Sequence, residues 1–196
     1  MTYFISYFIS LPGWYLQQYL SIDICDSDRC LLDNLEQCIA NECLQQPQVL
    51  IHYDYQSRNL MCLPDQSIGV LDFQDAKIGP VTYDIASLFN DCYIDWPREQ
   101  VEKWCQYFLK ELIDHDVISS VDRVQWMRWF DYVSMQRHLR NLGNFTRLSM
   151  RHKKEGYLQY FPRMQSYLLS ICSRYSELKE VGDWLAQQFQ AEARLK

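Results

Sequence analysis

Four polar residues in the stretch VLIHYDYQSRNLMCLPDQSIGVLD (residues 49–72) have the types and spacing that phosphoryl transfer demands: His52, Asp54, Asn59 and Asp72. An acceptor hydroxyl needs a carboxylate to take its proton, a task that suits Asp54. Five residues on, Asn59 offers a neutral amide oxygen to a Mg²⁺ ion on the nucleotide phosphates. Asp72 offers the charged ligand for the same ion. Alone, H-x-D is a common triplet, and a histidine after an apolar strand is often only a buried hydrogen-bonding residue. The complete H-x-D-x-x-x-x-N…D set, framed by strand-like runs, is what makes the motif specific.

Two β-like runs, 49–52 and 68–71, bracket the polar loop, and the second delivers Asp72 at its end. Helix is expected before them, at 14–20 and 28–44, closed by Pro47. After the site the chain reads as nearly all helix. A helix at 81–90 opens behind Gly79-Pro80 with Thr82 as N-cap. Another at 97–115 has Pro97 in its first turn and Val101, Trp104, Cys105, Phe108, Leu112 and Ile113 on one apolar face. A long helix capped by Ser119 or Ser120 runs to about Leu142 and is ended by Gly143. A short helix at 145–152, one from about Pro162 and a last one at 178–193 complete the pattern. No linker long enough to divide domains interrupts it.

The chain has 196 residues, 48% hydrophobic and 22% charged, enough for one sizeable core and too apolar for disorder. A net charge of −6 without a Lys/Arg block speaks against nucleic acid as a partner. The acidic excess is that of ordinary solubility, and it also suits a cationic small molecule of the aminoglycoside kind. The opening MTYFISYFIS repeats Tyr-Phe-Ile-Ser, lacks a basic lead-in and is too short to span a bilayer, so no membrane association and a cytoplasmic location are expected. Eight cysteines include two C-x₄-C pairs, Cys25/Cys30 and Cys38/Cys43, but no C-x₂-C; helical cysteines of this kind read as small buried hydrophobes. The abundance of tyrosine and tryptophan is core by default, with Trp96 the aromatic best placed to meet an acceptor.

The stretches HYDYQSRNLM and LDFQDAKIGPVTYDIASLFNDCY resemble the aminoglycoside phosphotransferase and choline kinase-like superfamily. Within it the likeness is greatest to the bacterial N-acetylmuramate/N-acetylglucosamine anomeric kinases of cell-wall recycling. Their patterns H-x-D-Y-x-S-R-N-L-M, D-F-Q-D-A-x-x-G-P-x-T-Y-D and Q-R-H-L-x-x-L-G-x-F-x-R-L have counterparts here, and the resemblance runs from about residue 14 to 184. It implies an α+β, mostly helical fold, the C-terminal lobe of a protein-kinase-like phosphotransferase with a small β-hairpin carrying the catalytic loop. It implies ATP and Mg²⁺ as cofactors, Asp54 as catalytic base beside His52, and Asn59 and Asp72 as magnesium ligands. Asp84 braces the catalytic loop. Tyr53 stands where relatives usually carry Arg or Gly.

Residues 1–10 match nothing in that family, and residues 11–196 read as the lobe itself: catalytic loop 52–59, metal loop 72–84, helical acceptor subdomain 97–196. A glycine-rich strand–turn–strand and a strand lysine are expected over the nucleotide. Before Val49 there is one glycine, Gly13, and the first lysine is Lys77, so the nucleotide-binding lobe reads as absent. ATP binding by this chain alone is then doubtful. A separately encoded lobe, or self-association through the surface that lobe leaves bare, is the expected partnership. For the sugar acceptor, Arg58 and Asp75 flank the loops most directly. Arg137 and Asn141, in MQRHLRNLGNFTR at 135–147, bring guanidinium and amide groups that suit sugar hydroxyls or a carboxylate. The competing readings are a catalytically inactive remnant or binding module of the same fold, and an aminoglycoside or choline-like alcohol as acceptor.

Overall fold

The apolar runs around the polar loop become four strands of three or four residues in a computed structural model that describes residues 11–195. The order is α1 (Leu11–Tyr19, π-wound), α2 (Asp26–Gln45), β1 (Gln48–Ile51), β2 (Leu60–Cys62), β3 (Ile68–Val70), β4 (Lys77–Pro80), α3 (Tyr83–Phe89), α4 (Arg98–Asp114), α5 (Arg123–His152), α6 (Phe161–Cys172) and α7 (Lys179–Leu195). Single 3₁₀ turns lie at Ser57–Asn59 and Phe73–Asp75. The chain is mostly helical with small sheets. The expectations placed on MTYFISYFIS fall outside the described residues.

The two strand-like runs of the sequence do not pair with each other. β1 pairs antiparallel with β4, Leu50 opposite Ile78 and Ile51 opposite Lys77. β2 pairs with β3, Leu60 opposite Val70. The polar loop therefore leaves β1 and enters the β2–β3 hairpin, and Asp72 sits just beyond that hairpin.

The described residues group into two units. One is Glu42–Ser134; the other holds the residues up to Asn41 and those from Met135 on. Both boundaries fall inside helices, α2 and α5, rather than in linkers. In the first unit Gln46 Oε1 accepts from the Thr82 hydroxyl at 2.7 Å, and the buried Asp131 takes a two-pronged bond from Arg98 at 2.5 and 3.1 Å. In the second, Tyr15 packs edge-on against Phe161 and Phe189 and donates its hydroxyl to the buried Glu192 at 2.8 Å.

Three helix ends differ from the sequence reading. Asp122, not Ser119 or Ser120, caps α5: its Oδ1 accepts from the Val124 and Gln125 amides at 2.9 and 3.1 Å. Thr82 precedes α3 but makes no cap bond, because its hydroxyl is committed to Gln46. α5 runs straight through Gly143 to His152. Leu139, Leu142, Phe145 and Thr146 are all buried across that glycine, and a continuous apolar face outweighs the roughly 1 kcal/mol that Gly costs mid-helix.

One close approach does need glycine. A Cβ on Gly182 of α7 would lie 2.7 Å from the Cβ of Cys172 in α6. Gly182→Ala is therefore expected to cost about 1–3 kcal/mol through overpacking, read as a lower urea midpoint; an unchanged midpoint would show that the α6–α7 contact yields freely.

Candidate active site

The strand β1 ends in two backbone amides that have left their ladder, and both are taken by one carboxylate. Asp84, in the first turn of α3, accepts the N–H of His52 on Oδ2 at 2.7 Å and that of Tyr53 on Oδ1 at 3.0 Å. Tyr53 adopts φ 75, the left-handed region that a bulky side chain rarely occupies. The chain thereby turns sharply before Asp54.

From there the loop is closed on itself. Asn59, buried, donates its Nδ2 to the Asp54 carbonyl at 2.9 Å and to Asp54 Oδ2 at 3.3 Å, and Gln56 Nε2 reaches the same Oδ2 at 3.2 Å. Asp54 Oδ1 takes no such bond among the described residues, which makes it the oxygen open to an incoming proton. With its Nδ2 spent on Asp54, Asn59 keeps its amide oxygen, the atom a hard cation uses.

Leu71 ties this loop to the segment carrying Asp72. Its amide donates to the Asn59 carbonyl at 2.9 Å, and its carbonyl lies 2.8 Å from His52 Nε2. A carbonyl can only accept, so Nε2 carries the ring proton; Nδ1 is buried and has no partner. Nε2 is thus engaged by the Leu71 carbonyl, and the ring ties the two loops together. Asp72 follows in a left-handed turn (φ 60, ψ 39), exposed, with exposed Asp75 three residues on. Asn59 and Asp72 together offer one amide and one carboxylate oxygen, a donor set that fits Mg²⁺ when phosphates and water supply the rest. Among the described residues no three His, Cys, Asp or Glu side chains cluster as a metal cage, so the ion would depend on its phosphate ligands.

Arg58 lies exposed with its guanidinium 3.7 Å over the Tyr93 ring. Asp91 is a residue the sequence reading passed over. Buried, it accepts from the Ser57 amide and hydroxyl at 2.9 and 2.6 Å and from the Tyr93 amide at 3.0 Å, holding both sides of the Arg58 stack. Its signal was present in the quoted FNDCY, where an Asp inside an apolar run calls for a buried partner. Trp96 packs edge-on against Trp104 at 5.1 Å. Beside the loop an open, mostly apolar cavity of about 440 Å³ is lined by Leu50, His52, Tyr55, Phe73 and Phe108 among others.

Arg137 and Asn141 lie on α5 in the other unit, apart in the chain from these loops. Arg137 is buried rather than on a solvated helix face. Next to it His138 is buried, stacked on Tyr167 at 5.0 Å, with neither ring nitrogen partnered. Burial, aided by the Arg137 charge, pushes its pKa from 6.5 down to about 3.

A family model described as the phosphotransferase enzyme family matches residues 9–120, more than half of the chain, and the chain belongs to that family. It is 37% identical over 183 residues to the N-acetylmuramate/N-acetylglucosamine kinase of Pseudomonas putida, covering 93% of this chain and 53% of that one. Proteins of the same description from Pseudomonas aeruginosa and Neisseria meningitidis are 35% and 36% identical, over 89% and 85% of this chain and 52% and 50% of theirs. The chain spans about half the length of the curated relatives it matches. Among solved structures, an ethanolamine kinase from Plasmodium vivax shares the fold, with a TM-score of 0.57 at 19% identity over 91% of this chain and 50% of that chain. No helix among the described residues is long and apolar enough to cross a membrane.

The buried imidazole carries a pH prediction. Unfolded, His138 binds a proton below about pH 6.5; folded, it stays neutral down to about 3. Stability is therefore lost as pH falls through that window. His138→Phe keeps a ring against Tyr167 and removes the titration, so its unfolding free energy should fall less between pH 7 and pH 5 than the parent's. Parallel urea curves at the two pH values would mean that His138 is not held neutral.

Proposed function

We propose that residues 52–84 form the hydroxyl-activating and metal-holding centre of a small-molecule kinase whose acceptor is the anomeric hydroxyl of N-acetylmuramate or N-acetylglucosamine. The observation that carries this is the double tie of Leu71 to Asn59 and His52, which holds Asp72 beside the loop of Asp54 and Asn59. The names of the relatives supply the acceptor class.

Asp54 Oδ1 takes the hydroxyl proton as the oxygen attacks the γ-phosphate, whose bond to the β,γ-bridging oxygen breaks to release ADP. An anomeric hydroxyl is unusually acidic for a sugar, so a carboxylate base is adequate. Asn59 and Asp72 would hold Mg²⁺, which supplies positive charge to the phosphate oxygens when bound. His52, engaged through Nε2, orients the two loops rather than moving protons. Most of the rate comes from position and charge, not covalent chemistry. Arg58 and Asp75 are assigned to the acceptor by their nearness in sequence to the two loops.

Capture of ATP also takes a glycine-rich cover and a strand lysine paired with a helix glutamate. These would come from a polypeptide segment other than residues 11–195. Leu50, Phe73 and Ile78, exposed at 73%, 71% and 64%, would be the apolar surface it covers.

The test joins this chain to the part of the Pseudomonas putida relative that the match leaves uncovered. There Asp54→Asn should lower kcat by about 10²–10⁴-fold with Mg·ATP affinity nearly unchanged; turnover close to the parent's removes Asp54 from the role of base. Asp72→Ala should weaken Mg·ATP binding, by calorimetry, far more than Asp54→Asn does, and equal affinity takes Asp72 out of the metal site. The 196-residue chain alone should phosphorylate either sugar far more slowly than the median enzyme rate of roughly 10 s⁻¹. A rate near that figure would overturn the division of labour.

A further inference from the structure

Tyr53 pays a conformational cost that its neighbours must offset. A bulky residue at φ 75 is disfavoured unless its surroundings over-determine it. Three contacts do so. Asp84 holds its amide at 3.0 Å. Tyr83, the residue before Asp84, stacks its ring on the Tyr53 ring at 5.3 Å and 8°. On the Tyr53 ring lies the ammonium of Lys77, 3.4 Å from the centroid. Lys77 makes no ion pair among the described residues, so the ring is the partner its charge finds.

The strand register explains how Lys77 gets there. It stands opposite Ile51, the last residue of β1, and Tyr53 follows two residues on, in the turn that leaves the strand. A slip of one residue in the β1–β4 register would turn Lys77 to the other face of the sheet. Lys77 also follows the Asp72–Ala76 segment directly. The stack therefore joins the loop that carries Asp54 to the one that carries Asp72.

We propose that Tyr53 is a positioning residue, clamped between Lys77 and Tyr83 so that the left-handed turn aims Asp54 and stays in register with Asp72. The charge of Lys77 is part of the clamp: an ammonium against a ring face is attracted by the ring's electrostatics, as a neutral chain of equal length is not. The catalytic consequence rests on the roles proposed above for Asp54, Asn59 and Asp72; the clamp itself does not.

The first measurement is residue-resolved amide hydrogen exchange on the 196-residue chain. Lys77→Met and Tyr53→Leu should lower the protection of the His52 and Tyr53 amides by roughly fivefold or more, the size of a lost cation–π contact. Lys77→Arg and Tyr53→Phe, which keep the cation and the ring, should restore it to within about twofold of the parent by the same measure. Equal protection in Lys77→Met and Lys77→Arg would overturn the clamp.

The second measurement is Mn²⁺ affinity by electron paramagnetic resonance. Removing a positive charge near a cation site should by itself tighten the ion. The clamp predicts the opposite sign, weaker binding in Lys77→Met and parent-like binding in Lys77→Arg. Tighter binding in Lys77→Met contradicts the link to Asp72. Failure of the parent chain to bind Mn²⁺ counts against the metal reading of Asn59 and Asp72, and the exchange data then decide the clamp alone.

Discussion

A chain that leaves a strand to form a functional loop must find new partners for the amides it strips from the ladder, and here a single carboxylate supplies them. Asp84 takes two successive amides at the end of β1, and charge-assisted bonds of this kind are about twice as strong as neutral ones. Its own place is secured from behind. Gln46, just past α2, accepts from both the amide and hydroxyl of Thr82, and the Val81 amide donates to the Pro47 carbonyl. The end of α2 therefore fixes the start of α3, and α3 fixes the turn before Asp54. Without that anchor the left-handed conformation of Tyr53 has no reason to persist.

The remainder of the site is built from the same economy of short polar links. Strands of three or four residues bury little and carry few ladder bonds, so side-chain-to-backbone contacts must set the loops. Asn59 closes the loop onto Asp54, Asp91 closes it onto Ser57, and Leu71 lends both its backbone groups to the neighbouring segment. Each link satisfies a group that would otherwise be desolvated without a partner, which costs more than the bond itself contributes. A loop held this way keeps Asp54 and Asp72 in fixed relation while leaving Asp72 and Asp75 exposed.

The other unit obeys a different rule. Its polar groups lie inside an aromatic and aliphatic interior: Glu192 meets Tyr15 and Gln165, and His138 is stacked on Tyr167. Burial dominates their chemistry. It raises the Tyr15 hydroxyl pKa, with the Glu192 charge acting in the same direction, and it keeps His138 neutral. His138, held neutral by burial, makes that packing sensitive to acid.

Periodicity and punctuation were enough to read the helices at 28–44, 81–90 and 97–115 and the strand before the loop, because each depends on residues near in sequence. The family likeness added the expectation that Asp84 braces the loop. The pairing of β1 with β4 was not legible, since both partners of a strand look alike until the intervening hairpin forms. Nor was the end of α5: a glycine stops a helix only when nothing beyond it is worth burying, and Leu142, Phe145 and Thr146 are buried. Ser119 and Ser120 were plausible caps by type, but only the folded chain puts Asp122 under the first amides of α5. Arg137, which its motif offers as an acceptor ligand, is buried. The partners of Asp91 and the Lys77–Tyr53–Tyr83 stack belong to the tertiary structure. They join residues 24 to 34 positions apart through strand register and loop closure, which no local pattern encodes.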